Sequence, residues 1–493
     1  MTGPLAARHP VLTKVPADLL IDGAWRGAAD GATFAVHDPA TGEELAAVAD
    51  AGLPDAAAAV DAAVAAQAAW RSVPPRTRAD ILRDAYEAVL RRRDEFATLM
   101  TLEMGKPIAE SQGELDYGAD FLRWFSEEAV RIDGGYQIAP NGQGRILVMR
   151  QPVGPCLLIT PWNFPLAMAT RKIAPALAAG CTMVIKPSEL TPLTTLLFTE
   201  QLIESGVPAG VVNVITTTKP AEVIQPLLTD GRIRKLSFTG STEVGRLLLR
   251  QCGDRVVRTS MELGGNAPFL VFADADLDAA VDGAMLAKLR NMGEACTAAN
   301  RFYVERPVAA QFATRLAARF ADLRIGHGLD RGTQIGPLIE PDAVTKIERL
   351  VADAVSRGAQ VLAGGGRGDG PGYFYLPTVL GSVAADAALM REEIFGPVAP
   401  VIPFDSETEA VAAANDTEYG LAAYVYTASL DRSIRVSEAL DFGMVGLNQG
   451  IVSNAAAPFG GIKESGLGRE GGAEGIAEYL DTKYVALKTD QLT

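Results

Sequence analysis

From Val153 onward the chain alternates between short apolar runs and helix-like segments at nearly constant spacing. The runs stand at 153–160, 182–186, 211–215, 235–239 and 256–261, with helical patterns between them at 166–179, 192–205, 220–229 and 242–251. Strand, helix, strand at this spacing predicts βαβ units and a parallel sheet covered on both faces. Such sheets bind ligands beyond the carboxyl ends of their strands. The turns that follow these runs are therefore where chemistry is expected. A second α/β stretch runs from Pro268 to about Gly450, with strands expected at 268–272, 421–426 and 444–447.

The flanking regions read differently. Residues 1–50 suggest short strands and turns, and helical patterns dominate from about Ala51 to Val130. Within these, 56–70 is alanine-rich and reads as a surface helix. Residues 76–93 carry Ile81, Leu82, Tyr86, Val89 and Leu90 on one stripe. Gly134–Met149 reads as a β-hairpin, and 483–488 alternates like an edge strand. An exposed edge tends to be paired or covered, and the expected partner is another subunit, through the early hairpin.

Length of 493 residues suggests two or three domains. A net charge of −15 with no basic run argues against nucleic acid or an anionic membrane as partner. No long uncharged apolar stretch or signal segment is visible, so no membrane span is expected. Four cysteines without a CxxC pair make a metal site unexpected and a reducing, cytoplasmic setting the default. The three histidines lie in no motif, so a carboxylate or lysine must do the acid–base work.

One cysteine stands out. Cys296 lies in Asn291-Met-Gly-Glu-Ala-Cys-Thr, among small residues and after a helical run at 277–289. Free cysteines are more often packed than reactive, so Cys296 needs partners before it counts as a nucleophile. Glu262 supplies one: it ends a buried strand before two glycines, where desolvation raises a carboxyl pKa and suits it to act as a base. Asn163, between prolines in Thr160-Pro-Trp-Asn-Phe-Pro165, can donate a hydrogen bond to an oxyanion. Lys186 and Glu189 in Lys186-Pro-Ser-Glu189 end the next strand and could bind ribose hydroxyls. Gly240 and Ser241 follow the 235–239 strand and open a helix, a phosphate-binding arrangement with a capped helix as its plain alternative. The GxGxxG pattern at Gly466–Gly471 has no apolar strand before it and reads as a turn. Asp274–Asp278 reads as a helix cap rather than a calcium loop, and Asn415-Asp-Thr417 lacks a secretory context for glycosylation.

Seven motifs occur here in the order found in aldehyde dehydrogenases: Pro161-Trp-Asn-Phe-Pro, Lys186-Pro-Ser-Glu, Phe238-Thr-Gly-Ser, Glu262-Leu-Gly-Gly, Gly293-Glu-Ala-Cys296, Glu393-Ile-Phe-Gly-Pro and Pro458-Phe-Gly-Gly. The chain resembles that family over nearly its whole length. The resemblance implies Cys296 as nucleophile, Asn163 and the Cys296 N–H as oxyanion hole, Glu262 as water-activating base and Lys172 as an aid to proton relay. It implies Lys186, Ser188 and Glu189 at the adenine ribose, and Gly240 and Ser241 at the pyrophosphate. Glu393 and Phe395 would hold the nicotinamide end, and Thr160, Pro161, Trp162 and Leu263 would line the cofactor cleft. The implied reaction is addition of the thiolate to an aldehyde, hydride transfer to the nicotinamide, and hydrolysis of the thioester, with no metal. The implied layout is a cofactor domain at 1–127 and 147–261, a catalytic domain at 262–463 and a return to the cofactor domain at 464–476. A bridging β-segment at 128–146 and 477–493 would join a homodimer or homotetramer.

Within the family the chain is most similar to succinate-semialdehyde dehydrogenases. Arg171, Arg290 and Ser453 match positions that grip the substrate's distal carboxylate, with Phe459 beside them, and two arginines suit such a group. Glutarate semialdehyde is the alternative substrate, and a cysteine esterase or thioesterase a distant third. Glu189 would accept from a free ribose 2′-hydroxyl and repel a 2′-phosphate, so NAD is favoured over NADP, with Ser188 and Lys186 able to accommodate the phosphate as the alternative. Two departures stand out: Ala298 replaces a second cysteine found in many relatives, so no disulfide switch is expected there, and Glu294 replaces the commoner glutamine.

Overall fold

Apolar runs flanked by helical patterns become strands buried on both faces. The computed structural model describes residues 9–488, so the first eight residues and 489–493 of the expected segments lie outside it. Five parallel strands, Cys156–Ile159, Met183–Lys186, Val212–Val214, Lys235–Thr239 and Arg258–Glu262, form the centre of an eight-stranded sheet. Its helices run at Ala167–Ala179, Leu193–Glu204, Pro220–Asp230 and Thr242–Gly253, within two residues of the sequence expectation. Two short N-terminal strands extend one edge antiparallel. Gly466–Leu467 closes the other edge against Arg258–Glu262.

A second sheet has seven strands, in the order Gln360–Ala363, Thr378–Gly381, Val398–Phe404, Ala299–Glu305, Ala267–Val271, Ala422–Tyr426 and Met444–Leu447. All its pairings are parallel except the first. A core of phenylalanine and tyrosine rings fills it, with Phe269 against Phe302, Phe312, Tyr424 and Tyr426.

Two expectations need correction. The C-terminal strand Leu480–Leu487 pairs with Arg145–Pro152 of its own chain, from Leu480 opposite Pro152 to Leu487 opposite Arg145. Gly135–Ile138 completes this three-stranded sheet, so the tail edge is covered by the hairpin of the same chain. The helix Leu53–Ser72 is not a surface helix on all sides. Ala56, Ala59, Val60 and Ala63 are fully buried against the first sheet, because alanine's small side chain lets a helix approach a sheet closely. Among the described residues, no helix is long and apolar enough to cross a membrane.

Candidate active site

Three strands of the first sheet end at one cleft. Ile159 leads into the Thr160–Pro165 turn, Thr239 into Gly240 and Ser241, and Glu262 into Gly264 and Gly265. Facing them, the helix Leu277–Leu289 ends and the chain turns sharply toward Cys296 before entering Ala299–Glu305. Asn291 and Met292 are left-handed (φ 54° each) and Gly293 follows at φ 79°. Three such residues in a row reverse the chain in a space where a continuing helix would carry Cys296 past the cleft. A cavity of about 230 Å³ results, lined by Trp162, Asn163, Glu262, Cys296, Glu393 and Phe395 among others.

The electrostatics of this cavity are set by burial. Of the four free cysteines only Cys296 is half-buried rather than buried. Burial pushes its thiol up to about 12, with Glu262 and Glu393 adding to the shift while Arg171 and Arg290 oppose it. The resting thiol is therefore protonated and needs a base. Glu262 is 2% exposed, and neither carboxylate oxygen has a hydrogen-bond partner. Burial, then the nearby Glu470, raise its pKa well above the ordinary carboxylate range. An unpartnered buried carboxyl is expensive, and it is poised to take a proton from a neighbour. Asn163 donates through Nδ2 to the Glu294 carbonyl at 3.0 Å, which places its amide beside the Cys296 turn.

Next to Glu262 lies a charged cluster that the sequence reading missed. Glu470 accepts from Lys172 Nζ at 2.6 Å and pairs with Arg171 at 2.5 Å. Lys172 also reaches Ser237 Oγ at 3.0 Å. Burial would raise the Glu470 carboxyl, but the two cations outweigh it and bring it to about 2. Glu470 lies in the glycine-rich turn read as a decoy; its backbone pairs with Phe459, whose ring stacks under the Arg171 guanidinium at 4.0 Å. The Gly466–Gly471 segment, expected to be a plain turn, also carries the edge strand Gly466–Leu467; a lone carboxylate in a glycine-rich segment was the available signal for Glu470.

The residues expected at the substrate carboxylate are divided. Arg290 and Ser453 meet, with Arg290 NH1 donating to Ser453 Oγ at 3.1 Å. Both line a second cavity, of about 560 Å³, with Tyr117, Phe164 and Ile451. Arg290 lies over the rings of Tyr117 and Phe164. Arg171 is buried and committed to Glu470, so its charge is already balanced. Tyr117, not anticipated from sequence, has a buried hydroxyl beside Ser453 and near Arg171 and Arg290.

The residues expected at the cofactor are placed as follows. Ser241 caps the helix Thr242–Gly253, accepting from Val244 N, so the helix N-terminus opens on the cavity. Gly245 in its first turn packs directly on Leu263. Glu393 accepts from Gly265 N at 2.9 Å. Trp162 and Phe395 meet edge to face at 5.3 Å. Farther along, Lys186 pairs with Glu189 at 2.7 Å, while Thr160 N donates to the Lys186 carbonyl and Ser188 Oγ accepts from Leu190 N. Glu294 is fully buried; its Oε1 accepts from Ile339 N and its Oε2 has no partner.

Comparison with known proteins agrees with this geometry. The aldehyde dehydrogenase family matches residues 25–485. The chain is 59% identical over 443 residues to a succinate-semialdehyde dehydrogenase from Paenarthrobacter nicotinovorans, covering 90% of this chain and 98% of that one. It is 50% identical to an NADP(+) succinate-semialdehyde dehydrogenase from Escherichia coli (strain K12), covering 95% and 97%. It is 49% identical to a glutarate-semialdehyde dehydrogenase from Pseudomonas putida, again covering 95% and 97%. The crystal structure of a succinate-semialdehyde dehydrogenase from Burkholderia pseudomallei superposes with a TM-score of 0.96 at 47% identity, covering 97% and 99%. With its parallel sheets, its half-buried cysteine and the unpartnered glutamate beside it, the chain belongs to the aldehyde dehydrogenase family.

Proposed function

We propose that this NAD(P)-dependent aldehyde dehydrogenase oxidises succinate semialdehyde to succinate, with NAD as the preferred cofactor. The observation that carries the substrate is the Arg290–Ser453 pair in the larger cavity, with Arg290 near enough to the Cys296 thiol to act on its charge. A cation held over two aromatic rings suits a small aldehyde that carries a carboxylate at its far end. Relatives named for succinate and glutarate semialdehyde support the same class.

In this reading Glu262 takes the Cys296 proton and the thiolate adds to the aldehyde carbon. Asn163 and the Cys296 N–H donate to the resulting alkoxide. Glu393 and Phe395 would hold a nicotinamide, with its pyrophosphate at Gly240 and Ser241, and that ring would supply the hydride acceptor for oxidation of the Cys296 adduct to a thioester. Once Glu262 has passed the Cys296 proton to solvent, it removes a proton from water, whose oxygen attacks the thioester; the C–S bond breaks, the acid leaves and the Cys296 thiolate is reprotonated. Lys172 and Glu470 carry protons or hold charge behind Glu262.

The NAD preference rests on Glu189. Its carboxylate occupies Lys186, so a 2′-phosphate would have to compete for that lysine and approach a like charge. The relative from Escherichia coli is named for NADP(+), which makes this choice the sharper test. The division into cofactor-binding segments (1–127, 147–261, 464–476), a catalytic segment (262–463) and a bridging β-segment (128–146, 477–493) is part of the proposal. So are homo-oligomeric assembly and a cytoplasmic setting, the latter supported by four free cysteines.

The test is the initial rate with succinate semialdehyde, glutarate semialdehyde and butanal, each with NAD and NADP. Loss of a charged anchor should cost about 10²-fold or more in kcat/KM for butanal, whereas one methylene separates the two semialdehydes by roughly 10–200-fold. Equal rates with butanal would remove the carboxylate assignment. A higher kcat/KM with glutarate semialdehyde would select the longer substrate.

A further inference from the structure

The oxyanion hole proposed above draws its two donors from different parts of the chain. The Asn163 amide comes from the Thr160–Pro165 turn, and the Cys296 N–H from the turn that begins at Asn291. Donors pointed at a developing charge act only if their spacing is fixed before reaction. Something must therefore tie the two turns together.

Asn291 is placed to do so. It is fully buried, and its Nδ2 donates to two carbonyls at once, Asn163 O and Glu294 O, each at 3.0 Å. One acceptor belongs to each turn. The same Glu294 carbonyl receives the Asn163 side chain, which closes a small triangle of bonds over the site. The Asn291 backbone is anchored independently: its N–H donates to Glu110 Oε2 at 2.5 Å, and its carbonyl accepts from Glu294 N at 2.8 Å. Asn163 O is also held by Lys106 Nζ at 2.8 Å, itself paired with the buried Glu114. The left-handed conformation of Asn291 alone could be met by glycine or aspartate, since both tolerate it. Neither can supply the bridging N–H groups.

We infer that Asn291 is a positioning residue that sets the spacing of the two oxyanion donors through its side-chain amide. It touches neither substrate nor cofactor. The inference rests on the proposed thiolate chemistry at Cys296 but not on which aldehyde is used.

The experiment compares wild type with Asn291→Asp and Asn291→Gly, which keep the left-handed backbone and remove the amide donors. Two reactions are followed: aldehyde oxidation with NAD, and hydrolysis of p-nitrophenyl acetate without nicotinamide. Misplacing catalytic groups by about 1 Å costs up to roughly 10²-fold, so kcat should fall about tenfold or more in both variants and both reactions, with aldehyde KM within about threefold. Either variant keeping kcat within about threefold overturns the inference, because backbone tolerance then explains the asparagine. A loss borne by KM rather than kcat also overturns it. A wild-type enzyme that cleaves the ester but leaves succinate semialdehyde untouched removes the substrate reading instead, and the ester ratios still decide the role of Asn291.

Discussion

Glu262 is legible in sequence because a charged residue ending an apolar strand before two glycines has few places to go. What sequence does not show is that both its oxygens lack partners, and this decides its pH behaviour. A base works only when deprotonated, and its pKa is raised by burial first and by Glu470 second. The acid limb of kcat/KM should therefore lie above the usual carboxylate range. Glu262→Gln should lower kcat by about 10²–10⁴-fold and erase that limb; a limb that persists in the pH–rate profile would assign it to another group. Glu294 makes a second prediction. Burial raises its pKa well above the ordinary value, so the folded chain keeps it protonated while the unfolded chain ionises. Stability is then fully present below the unfolded carboxylate pKa and lost as pH rises toward the folded one. Glu294→Gln keeps an acceptor for Ile339 N and cannot ionise. Its urea midpoint should exceed that of wild type by a margin that widens from pH 5 to pH 8; a constant margin would mean that Glu294 does not titrate between the two states. Local pattern raised Cys296, Glu262 and Asn163 only as candidates, and the family resemblance gave them roles; the fold brings the three to one cavity. Glu470 was not, since its partners Arg171 and Lys172 lie some three hundred residues earlier in the chain.

The parallel strands and their helices were readable for a physical reason: strands buried on both faces must be continuously apolar. How the elements are closed was not readable. The first N–H groups of Leu193–Glu204 are accepted by Glu103, and Leu166 N and Ala167 N by Glu114, both from helices far upstream. Such capping depends on tertiary placement that no local window contains. The same holds for the helix Thr242–Gly253, whose approach to the cofactor cleft is set by Gly245. A side chain there would collide with Leu263, which lines the cavity with Cys296. Gly245→Ala should push Leu263 into that cavity, and overpacking of this kind costs about 1–3 kcal/mol of stability. Binding of reduced nicotinamide, followed by its fluorescence, should weaken while alkylation of Cys296 proceeds at the wild-type rate. Unchanged cofactor affinity would show that Leu263 can relax away from the cleft.

On the scale of the whole molecule, the three-stranded sheet is the part that the single chain leaves least finished. Its middle strand is paired on both sides, but among the described residues Gly135–Ile138 and Leu480–Leu487 each keep an outer edge without a strand neighbour. Tyr136 is 64% exposed, Ile138 61% and Tyr484 60%. An edge-open sheet bearing large exposed apolar side chains is a surface that proteins ordinarily cover. The sheet also joins the chain's middle to its C-terminus, so a subunit seated on it would hold both at once. This is the surface through which we expect assembly, and it corrects the earlier expectation in one respect: the hairpin first completes the tail of its own chain and then presents the remaining edges outward. Replacing Tyr136 and Ile138 together by glutamate places like charges on the contact without touching the active-site cleft. Sedimentation velocity should show a smaller species for the double variant than for wild type. Far-ultraviolet circular dichroism should be unchanged, because both side chains are already exposed in the single chain. An unaltered sedimentation coefficient would move the interface elsewhere, with the exposed Val244 and Leu247 on the helix Thr242–Gly253 as the next apolar pair to charge.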